Sequence, residues 1–171
     1  SKEVVSQYRP FGKEWAYFDS HFNNCIYQMP KIFPTNGNAN LAICVTGPGA
    51  GSSFSVLLTG VLPNLHLQST SQCFPLKLYE LASANDSLFA TGETGYTERD
   101  GISDAGLKHF KDAYAGEQIS KEDLFYYIYG LLHSPDYRER FKNNLSKELP
   151  RIPAVKTAAD FWAFSKAGRS L

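Results

Sequence analysis

The sequence predicts an α+β fold, with a β-rich N-terminal part over residues 1–101 followed by a part of about four helices over residues 102–171. Two observations predict this order. Short apolar runs separated by Pro, Gly and Asn fill the first 80 residues, which is typical of strands joined by tight turns. From residue 103 onward, apolar residues recur at helical spacing behind residues that cap helices. A chain of 171 residues is long enough for one domain, or for one domain with a helical appendage.

Five segments of the first part have the pattern of strands. Two are short apolar runs that stop at Gly47 and Gly60, as buried strands entering loops do. One is an aromatic run, and two alternate apolar with polar residues. Pro75 limits the last segment to a sheet edge or a strand start, because proline has no N–H to donate. The segments are 15–18, 41–46, 54–59, 65–68 and 74–79.

Small, polar and glycine-containing residues fill positions 81–101, which predicts a surface loop or linker between the two parts. After it, each predicted helix begins at a hydroxyl residue that can accept from the free N–H groups of the first turn. Ser120 with Asp123 also resembles a capping box, and Ser134 precedes a proline at the first helical position. The predicted starts are Ser103, Ser120, Ser134 and Thr157, and the predicted ends of the first, third and last helices are Gly116, Pro150 and Gly168.

Composition excludes several classes of protein. Lys+Arg and Asp+Glu are both 17, so the chain is not a uniformly basic nucleic-acid binder, although a locally basic face remains possible. No apolar run approaches the ~20 residues that span a bilayer, and the N-terminus lacks the layout of a signal peptide. Three cysteines without a CxxC pair argue against a disulfide framework and for the cytoplasm. The abrupt start without Met is typical of a piece of a longer protein.

Charge is distributed unevenly along the second half. Residues 81–137 have a balance of −6, and residues 138–169 have a balance of +5. A polyanion could therefore meet the last two helices or the loop between them. The alternative is an ordinary solvated face that docks on an acidic neighbour, such as residues 81–137.

No motif of catalysis is present. The glycine-rich segment 47–53 lacks the Lys of a nucleotide P-loop, and its glycines do not have dinucleotide spacing. It could still hold a phosphate or a base edge through backbone N–H groups and the hydroxyls of Ser52, Ser53 and Ser55, or it could be a simple turn. His and Cys residues have no paired metal-ligand spacing, and the carboxylates lie mainly in first turns of helices. We therefore predict no catalytic residue, no metal and no cofactor in this chain, which favours a binding module.

The beginning of the chain places Arg9 and Lys13 among aromatic residues. Arginine can contact phosphate or guanine, and aromatic rings can pack beside the sugar. In the alternative, Arg9 pairs with Asp19 or with a neighbouring domain, and the aromatic residues fill the core.

Several motifs together resemble the C-terminal region of Type ISP restriction-modification enzymes and of related helicase-like restriction proteins. The resemblance covers nearly the whole chain, and it is most specific from Asp123 to Pro153. One position departs from it, because Gly12 stands where the family usually has Asp. The motifs are Tyr8-Arg9-Pro10-Phe11, Trp15 with Tyr17-Phe18-Asp19, Tyr27-Gln28-Met29-Pro30, Ile43 to Gly47, Gln72 to Pro75, Asp123 to Pro153 and Asp160 to Phe164.

The resemblance implies a target-recognition domain in residues 1–101, with a variable loop at 81–101, braced by the helices of residues 102–171. In that family one polypeptide also carries a nuclease, an ATP-driven helicase-like translocase and an adenine-N6 methyltransferase, so ATP, Mg²⁺ and S-adenosylmethionine are expected in the parent and not in this chain. The implied partners are double-stranded DNA and the upstream methyltransferase and helicase domains, with no membrane. Loop side chains would read bases in the major groove while basic groups contact phosphates. The expected DNA contacts are Arg9, Lys13, Lys31, Thr46, Ser52, Ser53, Ser55, Gln72 and Lys77.

Two other hypotheses remain open. The chain could be a structural or protein-interaction domain that docks the upstream helicase or methyltransferase without touching DNA. It could also be a small independent enzyme, which would need a polar pocket with perturbed acid–base groups that the sequence does not display.

Overall fold

A computed structural model of the chain describes residues 3–68, 70–81 and 95–171, and it confirms the α+β class. The chain divides into two compact units. Unit 1 comprises residues 1–44 and 57–101, and unit 2 comprises residues 45–56 and 102–171. The strands are β1 (Glu3–Arg9), β2 (Gly12–Tyr17), β3 (Ala42–Val45), β4 (Val56–Thr59), β5 (Leu62–Pro63), β6 (Gln72–Pro75), β7 (Lys77–Leu81) and β8 (Tyr96–Asp100). The helices are α1 (Met29–Ile32), α2 (Asp104–Ala113), α3 (Lys121–His133), α4 (Pro135–Arg140), α5 (Lys142–Leu145) and α6 (Ala158–Ser170).

Within the described ranges, eight strands form three small sheets. They have the orders β2–β1–β5, β4–β3–β6 and β7–β8. The central strand β3 is buried at all four residues, as its apolar run predicts, and the predicted strands over 15–18, 41–46 and 54–59 are confirmed within a few residues. A core of Val4, Ile32, Phe33, Ala42 and Leu62 joins β1, α1, β3 and β5 in unit 1. Helix α1 is too short to show a period in the sequence, and it was not predicted.

The strand predicted over 65–68 is wrong, because Asn64 turns the chain there. The backbone N–H of His66 donates to Asn64 Oδ1 at 2.9 Å, and the N–H of Leu67 donates to the Asn64 carbonyl at 3.0 Å. An asparagine side chain that accepts two residues ahead mimics a backbone turn. Leu67 is buried by this turn, so its alternation with polar neighbours has a cause other than a pleat.

The strand predicted over 74–79 is two strands, because the backbone bends at Leu76. The N–H of Leu76 at this bend donates to Leu41 O at 2.8 Å, and after it β7 pairs with β8 in a different sheet from β6. Pro75 is the last residue of β6, which is an edge strand, in agreement with its missing donor. The loop predicted over 81–101 is wrong at Leu81 and at 96–100, because β8 pairs antiparallel with β7. Residues 82–94 of that loop lie outside the described residues.

All four predicted helix starts are confirmed by their caps. Ser103, Ser120, Ser134 and Thr157 each accept a hydrogen bond from a backbone N–H in the first turn. Ser120 and Asp123 form the complete capping box. The third predicted helix divides at Phe141 into α4 and α5, so five helices rather than four follow residue 102 in the described part.

The predicted helix end at Gly168 is wrong. Gly168 is a buried residue inside α6, where a Cβ would overlap the carbonyl oxygen of Tyr126 on α3. Gly130 on α3 is its counterpart, since a Cβ there would overlap the carbonyl oxygen of Phe164. The two glycines let the backbones of α3 and α6 approach closely, a packing role that a helix-stop signal resembles in sequence.

Residues 151–155 are held to the helices of unit 2 by three tyrosine hydroxyls. Tyr114 Oη donates to Val155 O at 2.8 Å, Tyr127 Oη to Pro153 O at 2.6 Å and Tyr137 Oη to Arg151 O at 2.7 Å. Burial raises the pKa of each of the three hydroxyls, so they remain donors at neutral pH. Within the described part of the chain, no helix has the length and apolar character to cross a membrane.

Candidate nucleic-acid interface

The predicted contact residues are divided between the two units. Arg9, Lys13, Lys31, Gln72 and Lys77 belong to unit 1, and Thr46, Ser52, Ser53 and Ser55 belong to unit 2. Each set is therefore described within its own unit. The helical unit thus includes the glycine-rich loop, which the sequence had grouped with the strands.

The tip of the β1–β2 hairpin brings Arg9 and Lys13 together. Arg9 lies opposite Gly12 and Gln7 lies opposite Lys13, with a bulge between Gln7 and Arg9. Gln7 Nε2 donates to Pro10 O at 2.8 Å, and Gln7 Oε1 accepts from Thr59 Oγ1 at 2.7 Å. These contacts of the half-buried glutamine amide hold the turn, while both cations are exposed at its end.

Arg9 does not pair with Asp19, which was the alternative role. Its guanidinium carbon lies 5.0 Å from the centre of the Tyr8 ring, and no ion pair joins it to Asp19 in the described residues. Asp19 Oδ1 instead accepts from the backbone N–H of His21 at 2.7 Å and lies 2.8 Å from His21 Nδ1. The charge of Arg9 is therefore available to a ligand.

Aromatic side chains of the hairpin do not fill a core either. Phe11 is fully exposed in the turn, and Trp15 and Tyr17 are 73% and 52% exposed on one face of β2. Tyr17 meets the exposed Phe22 edge to face, with 5.7 Å between ring centres. These ring side chains are therefore available for contact at the surface of the described residues.

The other three predicted residues of unit 1, Lys31, Gln72 and Lys77, are not bonded to the hairpin tip in the described residues. Lys77 Nζ contacts Glu98 Oε1 at 2.6 Å across β7 and β8, and this hydrogen bond raises the pKa of the lysine. Gln72 at the start of β6 and Lys31 on α1 are exposed. Among residues 3–68, 70–81 and 95–101, no hydrogen bond or ion pair links these three side chains to one another or to the tip.

The glycine-rich loop of unit 2 is closed at its base by Thr46 and Ser55. The N–H of Thr46 donates to Ser55 O at 3.1 Å, and Thr46 Oγ1 accepts from the N–H of Ser55 at 2.9 Å. Thr46 is buried and Ser55 is half-buried, whereas Ser52 and Ser53 are exposed at the far end. The four residues thus differ in position: two hold the loop, and two are presented to solvent.

A set of cations beside this loop was not chosen from the sequence. The N–H of Gly49 donates to Ser146 O at 3.4 Å, and the guanidinium carbon of Arg138 lies 5.8 Å from the Phe54 ring centre. The loop therefore lies against the segment from α4 to the end of α5, which includes the exposed Arg140 and Lys142 and is followed by the exposed Lys147. The charge balance of +5 over residues 138–169 was the signal for them.

Part of this basic region does meet acidic neighbours, as the alternative expects. Arg169 Nη1 contacts Glu122 Oε1 and Arg169 Nη2 contacts Asp123 Oδ1, each at 2.8 Å. Burial tends to raise the pKa of Asp123, but hydrogen bonds from Ser120 and the guanidinium of Arg169 outweigh it and lower that pKa. Arg140 and Lys147 have no ion pair within the described ranges, so contact of these two residues with a polyanion stays a prediction.

Comparison with known proteins decides the family. The model of the Type ISP C-terminal specificity domain matches residues 1–171. The chain belongs to this family. Among curated proteins, no sequence matches it.

Solved structures that resemble this specificity domain are parts of much larger chains. A cryoEM structure of a DrdV–DNA complex matches with 38% identity and a TM-score of 0.83, over 99% of this chain and 15% of that one. The ATP-dependent Type ISP restriction-modification enzyme LlaBIII bound to DNA matches with 30% identity and a TM-score of 0.82, over 99% and 10%. A nuclease-deletion mutant of the Type ISP enzyme LlaGI, in complex with a DNA substrate mimic, matches with 29% identity and a TM-score of 0.75, over 99% and 13%. The specificity domain therefore spans about a tenth to a seventh of these chains.

Position 12, where Gly12 departs from the family motif, does not need glycine for its backbone conformation. A Cβ there would lie 3.7 Å from Arg9 Cβ, which is ordinary van der Waals contact. An aspartate at this position would place a carboxylate beside Arg9. In this specificity domain the glycine leaves the arginine without that neighbour.

Cysteine and histidine residues of the specificity domain do not form a metal centre in the described residues, where no group of three or more His, Cys, Asp or Glu is close enough. Cys44 on β3 and Cys73 on β6 place their Sγ atoms 3.2 Å apart. The hydrogen bond between them and the burial of Cys44 raise the pKa of the Cys44 thiol. The Cys44 thiol is therefore a poor nucleophile, whereas the same hydrogen bond lowers the pKa of the Cys73 thiol.

Proposed function

We propose that this chain recognises a specific sequence of double-stranded DNA and is the specificity domain of a single-polypeptide restriction-modification enzyme. The observation that carries the proposal is the match to DNA-bound structures, which cover 99% of the chain with up to 38% identity. The family match over the full length agrees with it.

The hairpin tip has the properties that sequence reading needs. Arg9 and Lys13 are exposed, and the tip that carries them is fixed by Gln7. An arginine can donate two hydrogen bonds to one guanine edge in the major groove, whereas neither cation could do so if it were buried in an ion pair. The turn also presents Phe11, an apolar side chain of the kind that contacts a thymine methyl group.

In the glycine-rich loop, we assign contact to Ser52 and Ser53 and support to Thr46 and Ser55. A hydroxyl that already closes the loop has less capacity left for a base or phosphate. Lys31, Gln72 and Lys77 remain proposed contacts at the surface of unit 1, and Lys77 would have to leave Glu98 or share it. The helices of residues 102–171 would brace the recognition part.

The catalytic steps belong to the remainder of the polypeptide in this proposal. The nuclease, the ATP-dependent translocase and the adenine-N6 methyltransferase would lie upstream, together with the sites for ATP, Mg²⁺ and S-adenosylmethionine. The chain itself would have no catalytic activity, and it would act in the cytoplasm. Its task would be to hold the duplex while the methyltransferase flips out an adenine.

The decisive experiment begins with the methylated motif, identified by sequencing DNA from cells that express the full polypeptide. Fluorescence anisotropy then gives the Kd of that polypeptide for a duplex with the motif and for a scrambled duplex. The variant Arg9→Ala/Lys13→Ala should weaken binding to the motif duplex by about tenfold or more, because one specific base contact contributes about 1–3 kcal/mol.

The matched control is Lys108→Ala/Lys111→Ala, which removes two exposed cations from α2 and should leave both Kd values unchanged. Equal affinity of the unmodified polypeptide for the two duplexes would contradict sequence recognition by it. Unchanged binding by the Arg9/Lys13 variant would instead remove the hairpin tip from the interface.

A second candidate function is docking of the upstream polypeptide, and the exposed aromatic face favours it. Trp15, Tyr17 and Phe22 form this face, and β1 begins at Glu3 directly opposite Tyr17. Since a specificity domain named C-terminal follows the rest of its polypeptide, the preceding chain would join beside this face. Exposed aromatic patches of this kind mark interaction sites.

Hydrogen exchange separates the two uses of the hairpin. If the aromatic face docks the upstream part, residues 12–17 are protected in the full polypeptide without DNA, and Trp15→Ser/Phe22→Ser abolishes the protection while the Kd for the motif duplex is retained. Protection that appears only after DNA is added would assign the aromatic face to DNA.

A further inference from the structure

We propose that unit 2 contains a phosphate-binding surface for the DNA backbone, formed by the exposed end of loop 47–54 together with Arg140 and Lys147. This inference rests on the proposed function and adds to it a second contact region, one that positions the duplex without reading its sequence. It uses residues outside the set chosen from the sequence.

The loop offers unused hydrogen-bond donors. In the described residues, no hydrogen bond uses the N–H groups of residues 51–54 or the hydroxyls of Ser52 and Ser53. The loop is closed behind them by Thr46 and Ser55, and the N–H of Ala50 donates to Gly47 O at 3.3 Å. Successive backbone N–H groups in a turn are a recurrent way to hold an anion.

The loop contains no charged residue of its own, so its electrostatic potential comes from α4 and α5. Both ends of the loop contact this segment. The N–H of Gly49 donates to Ser146 O, and the guanidinium of Arg138 lies over the Phe54 ring. Arg138 is held in turn, because its Nε donates to Leu132 O at 2.6 Å. Residues 138–147 have four cations and one carboxylate, that of Glu139, which lies 4.0 Å from Lys142.

Arg140 and Lys147 are the two cations of this segment that are exposed and have no ion pair in the part of the chain that the structure describes. Arg140 lies over the ring of its neighbour Phe141 at 5.5 Å, which leaves its N–H groups to solvent. Lys147 follows Ser146, the residue that accepts from the loop. The short segment that holds the loop at Gly49 and Phe54 thus also contains two exposed cations without an ion pair in the described residues, and we infer that donors and cations together bind a chain of phosphodiesters.

The residues of the loop favour a phosphodiester over a nucleoside triphosphate as its ligand. A nucleoside triphosphate needs a lysine within the loop to reach its terminal phosphates, and this loop has none. A phosphodiester has one charge per group, which backbone N–H groups and a flanking cation can match. Such contacts fix the orientation of a duplex and carry no sequence information directly.

The test is the salt dependence of duplex binding by the full polypeptide. For Arg140→Ala/Lys147→Ala, the slope of log K against log salt should become shallower by about 1.8, since each phosphate contact contributes about 0.9. The loss of affinity should be the same factor on the motif and scrambled duplexes. The control Lys108→Ala/Lys111→Ala removes the same charge from α2 and should keep the original slope.

A second variant tests the loop without removing a cation. Ser52→Asp places a carboxylate among the free donors and should weaken binding to both duplexes equally. Its control, Ala105→Asp, adds the same charge at the exposed first turn of α2 and should have no effect. Circular dichroism and thermal unfolding check that each variant is folded.

The outcomes separate this inference from the proposed function. An unchanged slope in the Arg140/Lys147 variant, or a loss confined to the motif duplex, overturns the phosphate-binding surface and leaves sequence recognition intact. If the unmodified polypeptide binds both duplexes equally but the variant loses slope, the surface stands and sequence recognition fails. Absence of any duplex binding overturns both.

Discussion

In the β1–β2 hairpin, Phe11 and Trp15 are exposed to solvent, whereas in the α3–α6 helix pair Tyr127 and Phe161 are fully buried. The ring centres of Tyr127 and Phe161 are 4.7 Å apart in a stacked arrangement. Both regions are rich in aromatic residues, and the difference lies in what covers them. Helix α6 packs directly on α3, whereas Phe11 and Trp15 are exposed among the residues that the structure describes.

This difference assigns two tasks to one residue class. Tyr127 and Phe161 are structural, because their stacked contact and the hydroxyl bond from Tyr127 to Pro153 are made within unit 2. The hairpin aromatic residues are exposed, so they should contribute little to the stability of this chain. A high aromatic content is therefore not by itself a sign of a large core. Substitution should lower the free energy of unfolding strongly in the helix pair and very little in the hairpin.

The largest expected effect comes from truncating one phenylalanine in each region. Phe161→Ala should lower the free energy of unfolding by about 3–5 kcal/mol, because it leaves a cavity in a packed core. Phe11→Ala should change it by less than about 0.5 kcal/mol, because the side chain is fully exposed. Urea unfolding of the two variants checks the contrast, and equal losses would show that the hairpin turn is covered in solution.

The helix crossing gives the next largest effect. Gly168→Ala should lower the free energy of unfolding by about 1–3 kcal/mol, because its Cβ would overlap a carbonyl oxygen of α3 and force the helices apart. Gly51→Ala is the matched control, since a Cβ there meets nothing within 4 Å. A Gly168→Ala variant as stable as the control would mean that α3 and α6 are farther apart than the structure shows.

Local signals were enough to predict the fold class, three strands and all four helix starts. A cap such as Ser120 with Asp123 is set by residues three apart, so the sequence displays it completely. The errors arose where a distant partner decides the structure. The segment around Leu76 is divided because β6 pairs with β3 and β7 pairs with β8, and Gly168 lies inside a helix where α3 packs closely against it.

The candidate site divides in the same way. The exposed position of Arg9 and Lys13 follows from a hairpin with a two-residue turn, which neighbouring residues specify. The buried position of Thr46 and the pairing of Lys77 with Glu98 depend on strand and loop partners that the sequence does not place side by side. Arg140 and Lys147 were visible only as an excess of charge until the loop was seen against α4 and α5.

Removing one hydroxyl in each region should have a smaller effect. Tyr127→Phe keeps the ring but leaves the carbonyl of Pro153 without its 2.6 Å hydrogen bond, so we expect a loss of about 1 kcal/mol in unfolding free energy. Tyr17→Phe should change nothing measurable, because the Tyr17 side chain is half exposed. The two values come from the same denaturation series, and a loss in Tyr17→Phe as large as in Tyr127→Phe would reveal a bonded hydroxyl on the hairpin.

The smallest effect concerns His133, a half-buried histidine of α3 with one buried polar atom. His133 Nε2 is buried without a hydrogen-bond partner in the described residues, and its ring meets Tyr129 edge to face at 4.7 Å. Burial, and then the positive charge of Arg138, lower the pKa of His133 in the folded state. The unfolded chain therefore binds a proton on this residue at a higher pH than the folded chain does.

The sign of the pH effect follows from that order of proton binding. As pH falls below the ordinary histidine value of about 6.5, the unfolded state gains a proton first, so stability is present above this pH and is lost toward the lower folded pKa. His133→Phe keeps a ring against Tyr129 and removes the titration. Unfolding free energies measured from pH 7.5 to 5 should fall more steeply for the unmodified chain than for His133→Phe. Parallel curves would mean that water reaches the His133 ring, and the helical unit would then be less tightly closed than its other aromatic contacts indicate.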